Sequence, residues 1–223
     1  IRNRHRDDPR FAVIAYGKLG GKELGYASDL DIVFVYDDDA PESAELYTRL
    51  SQRTNTWLSA QTPAGSLFET DLRLRPNGDS GLMVVSLDAF RQYQLENAWV
   101  WEHQALTRAR FCAGDRAIGR KFEAIRVEVL RQPRDLAKLR DEVIAMRQRM
   151  VDAHPVRAGV FDLKHSRGGL IDVEFIVQYL VLGHAHTHPG LTGNLGNIAL
   201  LPMAAELGLI PPDAATAVAD TYR

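Results

Sequence analysis

Two aspartates, Asp29 and Asp31, stand two residues apart where an apolar run begins. In a strand, whose side chains alternate between faces, they project to the same face with Cα atoms about 6.5–7 Å apart. Carboxylates aimed at one spot repel each other, and the usual remedy is a hard cation such as Mg2+, which takes oxygen ligands and often holds substrate phosphates too. Asp71, in a second stretch of strand-like alternation, supplies a candidate third carboxylate, with Glu69 as a possible substitute. Three acids from two strands can hold two ions about 3.5–4 Å apart, one activating a hydroxyl and the other stabilising a leaving pyrophosphate. That chemistry is nucleotidyl transfer. The plain alternatives are a solvated strand end with a capping aspartate, and a surface Asp71 paired with Arg73.

The segment ahead of the acids suits the same role. Gly17-Lys18-Leu19-Gly20-Gly21 follows a short apolar run, so backbone N–H groups at Gly17, Gly20 and Gly21 can approach phosphate closely and the next helix can offer its positive N-terminus. Lys18 adds a charge there, although a lysine beside a turn is usually just exposed. The pattern is neither a Walker loop nor a dinucleotide fingerprint. Ser28, beside the first acid, joins Gly17 and Lys18 as a candidate nucleotide-binding residue. Arg73 and Arg75 either contact a triphosphate or neutralise the acids.

The elements that must position these groups can be read from hydropathy. Residues 11–16 and 30–36 are strands rich in β-formers, and 67–75 alternates until Pro76 stops it. Leu46, Tyr47, Leu50, Thr54, Trp57 and Leu58 recur at helical spacing between Glu42 and Leu58, giving a helix that covers one face of the sheet. After the loop 77–81 comes an apolar segment, Leu82 to Val85, and a helix capped by Ser86 or Asp88. From Ala117 onward the pattern is helical only, with Ile118, Phe122, Ile125 and Val129 on one stripe and Leu136, Leu139, Val143, Met146 and Met150 on the next. The expectation is an α+β fold: a catalytic domain over 1–115 with a mixed β-sheet flanked by helices, and an all-α helical bundle over 116–223. Ile1 to Pro9 reads as a linker, and the pattern from Pro211 to Arg223 stops without a helix-ending signal, which suggests a piece of a longer protein.

Other polar groups have milder readings. Phe90, Tyr93, Trp99 and Trp101 look like core rather than an adenine stack. Glu102, Arg108 and Arg110 form either a buried ionic brace behind the site or an ordinary amphipathic face. Asp172 and Glu174 interrupt the apolar helix 170–182 and need partners; Asp172, just after Gly168-Gly169, is a structural cap in preference to a second catalytic acid. The spacing of His184, His186 and His188 resembles a zinc cluster, but Cys and carboxylate partners are not nearby in the sequence. Asp37-Asp38-Asp39 is a solvated turn.

The 223 residues carry 27 basic and 29 acidic side chains, a net charge of −2, so no global positive field attracts nucleic acid. Hydrophobic residues at 45% and charged residues at 25% are ordinary for a globular protein. One cysteine, Cys112, excludes an internal disulfide, and the longest apolar run is too short and too charged for a bilayer, which points to a cytoplasmic protein.

The run from Tyr16 to Asp31, together with Asp71-Leu72-Arg73-Leu74-Arg75-Pro76, Trp101 to Arg110 and Gly168 to Phe175, resembles glutamine synthetase adenylyltransferase, within the polymerase-beta-like nucleotidyltransferase superfamily. The resemblance covers most of the chain. It implies metal ligation by Asp29, Asp31 and Asp71, with Mg2+ as cofactor and ATP as co-substrate. It further implies transfer of AMP to a tyrosine hydroxyl of glutamine synthetase with release of pyrophosphate, regulating nitrogen assimilation under control by glutamine and the PII signal protein. Enzymes of this family carry two such domains, one attaching AMP and one removing it by phosphorolysis. Gly25-Tyr26 and the stretch Asn97 to Gln104 look more like the attaching copy. The removing copy, a PII-uridylylating relative and a non-catalytic regulatory module are the competing expectations, and the helical part is a candidate partner-binding element. By analogy with two-metal chemistry, Asp71 is expected nearest the tyrosine proton as base.

Overall fold

The computed structural model describes residues 7–26, 28–66, 68–157 and 159–222. The expected linker therefore lies mostly outside the described residues, as do Ala27 and Leu67. In chain order the elements are β1 (Phe11–Ala15), α1 (Gly17–Gly20), β2 (Leu30–Tyr36), α2 (Ser43–Leu58), β3 (Gln61–Thr62), β4 (Gly65–Ser66), β5 (Thr70–Asp71), β6 (Val84–Ser86), α3 (Leu87–Glu96), α4 (Val100–Leu106), β7 (Arg110–Gly114), α5 (Arg116–Leu130), α6 (Leu136–Ala153), α7 (Leu170–His184), α8 (Asn197–Glu206) and α9 (Pro212–Tyr222). The fold is α+β, as the sequence implied. Its compact units, however, are 1–98 with 108–129, and 99–107 with 130–223. They do not follow the line drawn after residue 115, because α5 packs with the sheet unit while α4 goes with the later helices.

In the first unit β2 is central. It pairs antiparallel with β1, and its other edge takes two short parallel partners in turn, β5 at its start and β6 at its end; β7 closes the far side of β1. Residues 32–35 of β2 are all buried, which is why this strand reads as a continuous apolar run instead of an alternating one. One core cluster gathers Phe11, Leu30, Ile32, Phe34, Tyr47 and Val84. Phe11 stacks on both Phe34 and Tyr47, at 5.6 and 5.9 Å between ring centroids. The buried Tyr47 hydroxyl is satisfied: it donates to Asp38 Oδ2 at 2.9 Å and accepts from the Arg10 N–H at 3.0 Å. Asp38 is therefore not simply a solvated turn residue. Helix α2 matches the expected span, but Trp57 is 74% exposed and does not join its buried stripe. Ser86 caps α3, accepting the Ala89 N–H at 3.3 Å, and Phe90 packs on Phe122 of α5 at 5.5 Å.

The alternating stretch 67–75 is not a strand beyond Asp71. Asp71 Oδ1 accepts the Arg73 N–H at 2.8 Å, the Arg75 N–H donates to the Leu72 carbonyl at 3.3 Å, and the Gly78 N–H donates to the Arg75 carbonyl at 2.9 Å. These local bonds fold Leu72–Pro76 into successive turns, since an aspartate that captures the N–H two residues on competes with the strand ladder.

The second unit is helical, and the apolar α7 is its centre, with Ile171, Val177, Leu180, Val181 and Leu182 buried. Gln104 of α4 donates from Nε2 to Gln178 Oε1 of α7 at 2.9 Å, joining two buried amides. Asp172 takes the capping role expected of it: Oδ2 accepts the Gly168 N–H at 2.6 Å while Oδ1 accepts from Arg147 Nε of α6. Glu174 accepts from the Tyr222 hydroxyl of α9 at 3.3 Å. Trp99, expected in a core, is 70% exposed. No helix among the described residues is long and apolar enough to cross a membrane.

Candidate active site

The parallel pairing of β2 with β5 places Leu30 opposite Thr70 and Asp31 opposite Asp71. Residues paired in parallel register point to the same face of a sheet with strands about 4.8 Å apart. Two carboxylates distant in sequence are thereby set side by side at the start of the central strand, and Asp29 precedes them on β2's own chain. The charges feel each other. Burial first, then Asp71 and Asp29, push the Asp31 carboxyl above its usual range, against the opposing pull of Arg73 and Arg108. Asp71 moves the other way, because its hydrogen bonds from the Arg73 side chain hold its carboxyl below the usual range.

Arg73 engages Asp71 closely: Nε donates to Oδ1 at 3.1 Å and Oδ2 at 2.9 Å, and Nη2 pairs with Oδ2. Arg75 does something else. Its Nη1 donates to the Leu72 carbonyl at 2.7 Å and its Nη2 lies 3.6 Å from Asp79, so it latches the turn that carries Asp71.

The glycine segment forms a single helical turn, α1, ahead of β2. Gly17 has φ +51°, and a Cβ added there would lie 2.8 Å from Asp31 Cγ, closer than real side chains allow. Only glycine lets the chain pass over the carboxylate. The Gly20 and Gly21 amides, expected to face phosphate, are spent within the turn on the Tyr16 and Gly17 carbonyls, at 2.7 and 2.9 Å. The amides left over by helix geometry are those at the start of the turn, Gly17 and Lys18 among them. The Lys18 side chain is exposed. Ser28 closes a small turn, its Oγ accepting the Gly25 N–H at 3.1 Å.

The turn is braced from behind by residues the sequence had left between two readings. Arg110 donates from Nε to the Gly20 carbonyl at 3.0 Å and from Nη2 to the Leu19 carbonyl at 2.9 Å. Arg108, buried, pairs with Glu23, and its guanidinium lies where a Cβ on Gly21 would fall. Glu23 had not been singled out. The only sequence signal for it was an acid beside the glycine turn whose partner sits 85 residues on. Glu102 instead caps α4, accepting the Trp99 N–H at 3.1 Å.

The chemistry of the donor set, three carboxylates with one flush against a glycine, fits a hard divalent cation. As they stand, the described residues present no group of three His, Cys, Asp or Glu side chains ready to hold a metal, the three histidines of 184–188 included. In the acid cluster, Asp71 has both oxygens on Arg73.

Residues 1–125 match the family model for glutamate-ammonia ligase adenylyltransferase, and residues 137–223 match that for GlnD PII-uridylyltransferase. Over its whole length the chain is 72% identical to a bifunctional glutamine synthetase adenylyltransferase/adenylyl-removing enzyme of Aromatoleum aromaticum, covering 24% of that protein. Enzymes of the same name from Nitrosomonas europaea and Chromobacterium violaceum are 63% and 64% identical over the whole chain, which covers 24% and 25% of their lengths. The chain thus spans about a quarter of the curated relatives it matches. With more than half of its residues under the first of these models, the chain belongs to the glutamate-ammonia ligase adenylyltransferase family.

Proposed function

We propose that this chain carries the nucleotidyl-transfer centre that moves AMP from ATP to a tyrosine hydroxyl of glutamine synthetase. The observation that carries the reading is the in-register pairing of Asp31 with Asp71, which joins the two acid-bearing segments at one point beside Gly17. In the reaction the tyrosine oxygen forms a bond to the α-phosphorus, the bond to the β-phosphate oxygen breaks, and pyrophosphate leaves with the electron pair. Asp29, Asp31 and Asp71 would hold Mg2+, which when bound supplies positive charge at the transferring phosphate. The chain's own residues do the positioning. Gly17, which lies against Asp31, and Lys18 after it would receive phosphate oxygens, and Arg108 and Arg110 keep the turn rigid from behind. Arg75 holds the Asp71 loop in place.

The relatives' name couples two activities, attachment and removal of the adenylyl group, so removal by phosphorolysis is the second reading. The match of residues 137–223 to the PII-uridylyltransferase model leaves a PII-directed partner role for the helical unit as a further part of the proposal, with glutamine as effector. Incubation of the chain with Mg2+, labelled ATP and unmodified glutamine synthetase tests the first reading. Label on tyrosine, lost in Asp29→Asn and Asp31→Asn, supports it. Phosphate-dependent loss of the adenylyl group from modified synthetase, released as ADP because the attacking phosphate stays bonded to it, without transfer, would establish removal instead.

A further inference from the structure

Arg73 and Asp71 differ sharply in freedom. The Arg73 side chain is 72% exposed, whereas that of Asp71 is 15% exposed. The carboxylate has a second anchor, the Arg73 backbone N–H to Oδ1 at 2.8 Å, which stays in place wherever the guanidinium goes. An ion pair whose cationic member stands in solvent is weak, so the guanidinium can leave at little cost while the carboxylate remains oriented. Arg75, two residues on, has no such freedom: its side chain is 13% exposed and bonded to the loop carbonyls. Beside Asp71 lie Asp31 in register and Asp29 next to it, and Arg73 carries the positive charge nearest to Asp71.

We propose that Arg73 is a displaceable counter-ion: it neutralises Asp71 in the cation-free protein, yields the carboxylate to an incoming divalent cation, and so sets the cation affinity of the site. This rests on the acid cluster being the cation site, as in the function proposed above. A guanidinium and a divalent cation compete for the same two oxygens, and both cannot hold them. The exchange keeps the acids from repelling one another when the site is empty, and it makes cation capture weaker than three carboxylates alone would give. Were Arg73 instead a structural pin that aims Asp71 at the metal, its removal would loosen the site.

The two accounts give opposite signs in a binding measurement that needs no catalysis. Mn2+ titrated into the 223-residue chain without nucleotide, with free ion read by electron paramagnetic resonance, reports affinity directly. Arg73→Gln is expected to bind Mn2+ about two- to fivefold more tightly, the factor an exposed carboxylate ion pair contributes. Asp71→Asn binds more weakly, and adding Arg73→Gln to it restores nothing, because the carboxylate under competition is gone. Unchanged or weaker binding in Arg73→Gln overturns the exchange, and so does a gain that persists in the Asp71→Asn background. Wild-type affinity that is indifferent to Asp29→Asn and Asp31→Asn would instead overturn the cation site itself, and with it the exchange.

Discussion

Replacing Gly17 by alanine tests the claim that the glycine turn exists to admit the Asp31 carboxylate. The new Cβ would stand 2.8 Å from Asp31 Cγ, and ordinary contact begins at 3.4 Å, so the carboxyl carbon must retreat by at least 3.4 − 2.8 = 0.6 Å. A displacement approaching 1 Å in a reacting group costs about 100-fold in rate. The backbone adds its own cost of about 1–2 kcal/mol, because φ is +51° and L-residues are strained there. Gly208 provides the matched control. It also has positive φ, +71°, at the end of α8, but a Cβ there meets nothing within 4 Å. Gly208→Ala should therefore lose only about 1 kcal/mol, or roughly 2–4 °C in melting temperature, with AMP transfer unchanged. Gly17→Ala should melt lower by at least as much and transfer AMP about 100-fold more slowly at saturating ATP. Wild-type transfer by a folded Gly17→Ala protein would refute the argument, since the carboxylate would then tolerate the crowding.

Other predictions follow from single contacts. Asp172→Ala removes a helix cap and strands Arg147, whose side chain is only 12% exposed, and should cost about 2–3 kcal/mol in urea unfolding, with Asp172→Asn milder because its oxygen still accepts the Gly168 N–H. Phe122→Ala should cost about 3–5 kcal/mol, since the ring is fully buried against Phe90, and the loss should appear in the unfolding of the sheet unit to which α5 belongs. For Asp31 the folded-state carboxyl is raised above 3.8, so the folded protein binds the extra proton and loses stability as pH rises through that range. In EDTA, Asp31→Asn should therefore be more stable than wild type at neutral pH, with the difference vanishing below the ordinary carboxylate range; a constant difference from pH 3 to 8 would show that charge is not its source.

What the sequence revealed and what it hid divide by the range of the interactions. The strands at 11–15 and 30–36, the helix at 43–58 and the apolar α7 were legible because each is decided by its own periodicity and length. Asp31 lies within β2, whereas Asp29 stands just before the strand, near enough for its charge to raise the Asp31 carboxyl. The stretch after Asp71 misled because alternation of charged and apolar residues is equally compatible with turns stapled by their own side chains, and the decisive bond, Arg73 N–H to Asp71 Oδ1, leaves no periodic trace. Strand β7 had no local signal either. Its five residues begin with an arginine and become a strand only by pairing with β1, about a hundred residues earlier. A shorter separation, 122 − 90 = 32 residues, hid the assignment of α5, which rests on Phe122 meeting Phe90 and not on any change of composition at residue 115.

The site inherits this division. Its acids were expected together from the sequence, but the register that joins them was not visible: Asp31 and Asp71 become neighbours only because β5 adds to the edge of β2 in one register, and a shift of a single residue would turn Asp71 to the opposite face. Two residues of β5 cannot fix a register by themselves. It is held by what surrounds them: the Glu69 carbonyl accepting the Leu30 N–H at 2.8 Å, Thr70 donating to Asn55 of α2 at 2.7 Å, and Arg75 fastening the turn that follows. The groups that decide whether the acid-bearing segments meet are thus an asparagine, a threonine and an arginine, none of them an acid.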